Sequence, residues 1–386
     1  MQFSKQKHNI IILATVTVFI FLTTVSLLSL NALPQKTVAS SYGGTSMIVL
    51  ETSTNRVLYQ NNAHVSRPIA STTKILTAIT VIENADLDKK IQVDKSAVGV
   101  EGSSIYLSYG ETATIRDLLY GLMLQSGNDC AVALAVAVAG DVPSFANLMN
   151  ATAQKAGANT ANFTNPHGLH DDAHLCSAYE LALISSYAMK NPEFRKIVST
   201  KVYKDMPYEG RDYNRIINNK NRLLHSFEGA SGIKTGFTKK AGRCLVASSA
   251  RNGMEVVAVV LNCGPMFEEC AGLMSKAFSE YKFAALSEAG KKIGEVTFKN
   301  SDNTIDLHAK AGVHYPLTVS EINRLDIKTK ILSGTNLSGV ETELPIAEFA
   351  YYLDGKELGT AIGYTHEILT SNEIAEIIPK ATYMPS

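Results

Sequence analysis

The chain carries strand-like segments at two distant places with a helical stretch between them. That order restricts the available folds more than any other feature. Thr45 to Glu51 and Val57 to Gln60, turned by Thr54-Asn55, predict a hairpin. Ile233 to Thr238, Arg243 to Ser249 and Met254 to Leu261 predict three further strands, joined through Lys239 to Gly242 and through Arg251-Asn252-Gly253. Between the two groups, helix-like spacing marks Ile115 to Gln125, Asp129 to Ala139, Ser144 to Ala156 and Ala178 to Met189. Such an arrangement fits one antiparallel sheet completed by early and late segments, with helices covering it, an α/β (α+β) architecture. A last helix, Pro265 to Leu286, is expected to close this body. From about Gly290 short alternating runs and the Asp354-Gly355 turn predict a separate all-β module. The expected division is therefore 1–39, 40–288 and 289–386.

With 386 residues there is enough chain for two cored domains, and Lys+Arg balances Asp+Glu at 36 each. A balanced charge gives no basic face for nucleic acid. Lys5, Lys7 and His8 precede an uncharged apolar run, 10–33, followed by small residues at Thr37-Val38-Ala39. This pattern predicts export, as a cleaved signal peptide or as a retained anchor in the cytoplasmic membrane. The end of the chain, with Pro379 and Pro385, is a poor membrane helix, so any anchor is assigned to the N-terminal run. Five cysteines without a Cys-x-x-Cys pair suggest neither a disulfide scaffold nor a metal site, although Cys263 and Cys270 could pair.

The chemistry centres on Pro68-Ile69-Ala70-Ser71-Thr72-Thr73-Lys74, which reads as the first turns of a helix. Helical spacing puts Ser71, Lys74, Ile75, Ala78, Ile79 and Ile82 on one apolar stripe and Thr73, Thr77, Thr80 and Asn84 opposite. A free lysine has a pKa near 10.4, so keeping it neutral at pH 7 costs about 4.6 kcal/mol unless its surroundings lower the pKa. Burial and a second cation do so, and a neutral amine one turn from a serine could then take the hydroxyl proton. The plainer alternative is a buried serine with a snorkelling lysine, and Ser-x-x-Lys recurs at Ser4, Ser231 and Ser279.

Two further motifs weigh against that alternative. Ser126-Gly127-Asn128 falls in a loop between helices, where a hydroxyl and an amide could face one cleft, and Lys234-Thr235-Gly236 falls on a strand. Alternation sends Lys234 and Gly236 one way and Thr235 the other, and a glycine there lets a ligand backbone lie against the strand. In this order, the three motifs are the known signature of penicillin-binding proteins and class A β-lactamases. With Arg67-Pro68-Ile69-Ala70, Asn165-Pro166-His167-Gly168-Leu169, Phe237-Thr238 and the all-β tail added, the chain resembles the low-molecular-mass penicillin-binding proteins, the serine-type D-alanyl-D-alanine carboxypeptidases.

That resemblance implies two-step acyl transfer on peptidoglycan stem peptides, without a cofactor or metal. Ser71 would be the nucleophile, Lys74 its base, and Ser126 the relay to the leaving amine. Asn128 would hold the substrate amide, and Lys234 with Thr235 the terminal carboxylate. The backbone of Ser71 and Phe237, beside Gly236, would form the oxyanion hole. β-Lactams would acylate the same serine. An arginine expected before Lys-Thr-Gly is replaced, in Asn219-Lys220-Asn221-Arg222-Leu223-Leu224, by Lys220 with Arg222 two residues on, and either could inherit its task. A class A β-lactamase would need a Glu-x-x-Leu-Asn loop, which does not occur between Asn128 and Lys234. A crosslink-cleaving endopeptidase and a non-catalytic binding protein remain the other readings.

Overall fold

The structure, a computed structural model, describes residues 46–298, 304–332, 344–366 and 374–380. The N-terminal run 10–33 lies outside them. Five strands form one sheet in the order Val57–Asn61, Ser46–Glu51, Met254–Leu261, Gly242–Arg251, Ala230–Thr238, every pairing antiparallel. The early hairpin therefore completes the sheet from one side and leaves Ala230–Thr238, which carries Lys234, as the opposite edge.

Both faces of this sheet are covered, and the side-chain period of two sorts its residues between them. Ile48, Leu50, Val257 and Val259 face a cluster with Ile75, Leu76, Leu118, Leu134 and Ile184 of the helical layer. Met47, Val49, Val256, Ala258 and Val260 face Cys270, Leu273 and Met274 on Met266–Glu280. Burial on both faces explains why Met254–Leu261 reads as a near-continuous apolar run.

Two expectations are corrected, those for the last helix and for Cys263 with Cys270. Thr73, Thr77 and Thr80, opposite the Ser71 stripe, are buried as well. Thr77 Oγ1 donates to the Pro166 carbonyl at 2.7 Å, so its hydroxyl is buried without loss. The helix expected from Pro265 to Leu286 stops at Glu280, and Lys282–Ser287 is a strand paired with Val313–Leu317. Its Ala284 and Leu286 join a second core with Ile293, Val296, Leu307, Phe349 and Tyr351. Finally, Cys263 and Cys270 are not joined, and all five cysteines are free and buried.

A second, six-stranded antiparallel sheet follows, running Leu325–Ile331, Leu344–Leu353, Lys356–Thr365, Thr304–Ala309, Lys292–Phe298, Ile374–Pro379. The expected Asp-Gly hairpin turns through Asp354 and Gly355, both with positive φ, 49° and 83°. Arg56, beside the first hairpin, ties this module to the main sheet: it donates to the Pro316 carbonyl and to Glu321 at 2.6 Å, between the rings of Tyr281 and Tyr315. Among the described residues no single helix is long and apolar enough to cross a membrane.

Candidate active site

Ser71 does not lie on the α-helix itself. It sits in a 3₁₀ turn, Ala70–Thr73, that feeds the helix beginning at Lys74. In a 3₁₀ turn residues three apart eclipse, which stacks Ser71 directly on Lys74 and sets Lys74 Nζ 3.0 Å from Ser71 Oγ. The turn is forced by its neighbours. Ala70 holds a left-handed φ of 50°, and Gly168 packs so tightly that a Cβ there would come within 2.0 Å of the Ala70 carbonyl. On the other side a Cβ on Gly236 would meet the Ser71 and Thr72 amides at 3.1 Å. Glycine at 236 thus lets the edge strand lie against the serine's backbone, as the sequence pattern suggests.

Lys74 is fully buried, and its ammonium nitrogen has two carbonyl partners besides the serine: Asn128 Oδ1 at 2.6 Å and the His167 carbonyl at 2.8 Å. A neutral amine has two hydrogens and one lone pair. The two carbonyls use the hydrogens, and the lone pair is left for the Ser71 proton. Burial, then the nearby Lys234, holds the Lys74 pKa well below its ordinary value. Among the described residues no carboxylate pairs with Lys74, Lys220 or Lys234.

Asp129, the nearest acid, is committed elsewhere. Its carboxylate accepts from Ser104 Oγ and from the amides of Ile105, Leu107 and Cys130, tying down the loop that borders the cleft. Asn128 Nδ2 donates to the Glu101 carbonyl in the same loop, so both ends of this amide are engaged. The helix from Ile115 ends in a π-turn, Gly121–Gln125, and passes into Ser126 with a left-handed φ of 66°. That turn presents the Ser126 hydroxyl with no hydrogen-bond partner among the described residues.

On the edge strand Lys234 is buried, bonded through Nζ to the Thr235 carbonyl at 3.1 Å, and burial followed by Lys220 lowers its pKa to about 7. Thr235 is half-buried on the opposite strand face, and Phe237 beyond Gly236 is 64 % exposed. Lys220 and Arg222 point to different places. Asn219 caps the carbonyls of Val198 and Thr200, and the Lys220 ammonium then reaches the Gln125 carbonyl at 2.7 Å and Ser103 Oγ at 3.4 Å, next to Ser126. Arg222 turns away and stacks on Phe267, 4.3 Å from the ring centre.

His167, quoted above only as part of the Asn165–Leu169 motif, and His174, which falls in no motif, both adjoin the Ser71–Lys74 turn. His167 acts through its backbone carbonyl, which no side-chain pattern reports. Its Nδ1 accepts from the Leu169 amide, and burial with Lys74 nearby takes its pKa to about 3. His174 Nε2 meets Thr73 Oγ1 at 2.8 Å, and burial lowers its pKa to about 4. Both are neutral braces.

A serine stacked on a deeply buried lysine, with a second buried lysine, Lys234, and the exposed Lys220 beside it, is an arrangement suited to a serine acyltransferase. The comparisons with known proteins narrow that class. Residues 34–264 match the Peptidase_S11 family, D-alanyl-D-alanine carboxypeptidase. The D-alanyl-D-alanine carboxypeptidase DacF of Bacillus subtilis is 31% identical over 327 residues, 82% of this chain and 80% of the relative. The D-alanyl-D-alanine carboxypeptidase DacA of Haemophilus influenzae is 32% identical over 76% of each chain. Among solved structures, penicillin-binding protein 5 from Haemophilus influenzae superposes with a TM-score of 0.68 at 25% identity, over 88% of this chain and 99% of that one. A Streptomyces K15 DD-transpeptidase superposes with a TM-score of 0.59 at 33% identity, over 62% and 99%. The chain belongs to the D-alanyl-D-alanine carboxypeptidase family, and it is a serine peptidase of that specificity.

Proposed function

We propose that Ser71 attacks the carbonyl between two terminal D-alanines of a peptidoglycan stem peptide. Lys74 takes the hydroxyl proton, and Ser126 delivers a proton to the departing D-alanine amine. Water then hydrolyses the ester on Ser71. The observation that carries this reading is the 3.0 Å contact from Lys74 Nζ to Ser71 Oγ, with two carbonyl oxygens on the same nitrogen.

Lys234 and Lys220 supply the charge for the substrate's terminal carboxylate, and Thr235 would add its hydroxyl from the neighbouring position of the edge strand. Arg222, bound to Phe267, has no part in it. The Ser71 and Phe237 amides receive the oxyanion. Asn128 holds Lys74 first, and meets the substrate amide only if Nδ2 leaves the Glu101 carbonyl. β-Lactams acylate Ser71 and leave slowly. With no carboxylate at Lys74 among the described residues, nothing there activates water as a β-lactamase glutamate would. The enzyme acts outside the cytoplasm, exported through the run 10–33, with a catalytic body up to about Tyr281 and a β module beyond it.

The deciding experiment follows D-alanine release from a peptide ending in D-Ala-D-Ala, with fluorescent penicillin labelling, for wild type and Ser71→Ala. Both signals are expected in the wild type and neither in the variant. Labelling of Ser71→Ala would place the nucleophile elsewhere.

A further inference from the structure

Ala70, immediately before the nucleophile, holds its left-handed φ of 50° without being a glycine. Such a conformation persists only where the surroundings fix it. One restraint is the close packing of Gly168 on the Ala70 carbonyl, and another is a hydrogen bond: the same carbonyl accepts from Thr73 Oγ1 at 2.8 Å. A threonine hydroxyl has a single hydrogen, so Thr73 holds Ala70 only while its oxygen acts as acceptor towards every other partner.

The other partner is His174, and its bonds fix the direction. Nδ1 accepts from the Thr164 amide at 3.1 Å, which leaves the hydrogen of the neutral ring on Nε2. Nε2 stands 2.8 Å from Thr73 Oγ1 and therefore donates to it. Three bonds then run one way: Thr164 N–H to Nδ1, Nε2–H to Thr73 Oγ1, and the Thr73 hydroxyl to the Ala70 carbonyl. The ring is only 3 % exposed and meets Phe163 edge-on, with ring centres 5.4 Å apart, so it has little freedom to turn over. A side chain that merely filled space would need neither nitrogen.

We propose that His174 is a positioning residue for acylation: by donating to Thr73 it directs the Thr73 hydroxyl onto the Ala70 carbonyl and so holds the turn that stacks Ser71 on Lys74. This rests on the reading of Ser71 as the nucleophile. His174 itself touches neither substrate nor reacting atoms.

The test measures Tm and the second-order rate constant of acylation by fluorescent penicillin in the full-length enzyme. His174→Asn keeps an acceptor for Thr164 but is too short to reach Thr73, His174→Gln reaches Thr73 with its amide nitrogen, and Thr73→Val removes the hydroxyl. His174→Asn and Thr73→Val are each expected to acylate at least tenfold more slowly. Because both break one chain of bonds, the double variant should be within about twofold of the slower single variant. His174→Gln should return to within about threefold of wild type, whatever its Tm. A His174→Asn rate near wild type with a lowered Tm would reduce the ring to packing. Losses that multiply in the double variant, or a Gln variant as slow as Asn, would equally overturn the proposal. Failure of folded wild type to label would strike the catalytic reading instead, so the two failures are distinguishable.

Discussion

The Ala70 carbonyl lies 2.0 Å from where a Cβ on Gly168 would stand, so the loop after Pro166 and the turn carrying Ser71 are fitted to each other with no room for a methyl group. Gly168 also has a φ of 81°, which costs an L-residue roughly 1–2 kcal/mol by itself. Gly168→Ala is therefore expected to push the Ser71 turn away from Lys74 and slow acylation by fluorescent penicillin at least tenfold. Gly157→Ala is the control. It has the same kind of backbone, φ 87°, but a Cβ there would meet only Leu183 Cδ1, at an ordinary 3.6 Å. It should lower Tm and leave the acylation rate near wild type. Equal rates in the two variants would refute the fit between loop and turn.

Much of this site was readable as sequence because its members announce themselves by type: a lysine on an apolar stripe, a glycine in a strand, Ser-Gly-Asn between helices. That early and late runs share one antiparallel sheet was readable from pattern, whereas their order within it was not. What was not readable depends on backbone atoms and on enclosure. The carbonyl of His167 contributes no pattern. Nothing in the pattern shows that His174 and the Pro166 carbonyl meet the hydroxyls of Thr73 and Thr77. Lys282–Ser287 continues an apolar helix pattern, and only pairing with Val313–Leu317, distant in sequence, makes it a strand.

Asn128 Oδ1 accepts from Lys74 at 2.6 Å, so the charge on that side chain controls the base. Asn128→Asp places a carboxylate against the amine and raises its pKa, so more of Lys74 is protonated at neutral pH. Acylation is expected to drop at least a hundredfold at pH 7 and to recover partly as pH rises. Asn128→Ala removes the carbonyl without adding charge and should lose rate without that recovery. A flat pH response for Asn128→Asp would show that Lys74 is not titrating in the rate.

The alkaline limb has a different owner. Lys234, at a pKa of about 7, is cationic below that pH and neutral above it, and a substrate carboxylate needs the cation. For a peptide ending in a free carboxylate, kcat/KM is expected to fall above about pH 7, and the same peptide amidated should lack that fall. Lys220 lowers the Lys234 pKa, so Lys220→Gln should move the limb to higher pH while raising KM. Identical limbs for the free and amidated peptides would remove Lys234 from carboxylate recognition.

Arg56 bonds Glu321 at 2.6 Å and the Pro316 carbonyl, between two tyrosine rings, and so couples the β module to the catalytic body. Removing one partner of a mostly buried ion pair is costly, so Arg56→Ala should cost about 2–3 kcal/mol, read as a lower urea midpoint. Proteolysis near Tyr281 should accelerate with it. D-alanine release should persist, because Arg56 lies outside the cleft. Loss of activity in a folded variant would mean that the module shapes the site.

Lys234 also carries a cost that stability measurements can read. Its pKa is about 7 in the folded chain against 10.5 in the open chain. Between those values the unfolded chain holds a proton that the folded chain has released, so folding is penalised, and wild-type stability rises with pH across that window. The penalty is complete at and below pH 7 and gone above 10.5. Lys234→Met, similar in length and without the charge, should raise Tm at pH 7 by about 3 °C or more while losing carboxylate recognition. The gain should shrink steadily from pH 7 towards pH 10. An unchanged or lower Tm at pH 7, or a gain that does not shrink, would show that the buried ammonium is stabilised by its surroundings and that Lys234 is not held in the cleft at a cost to folding.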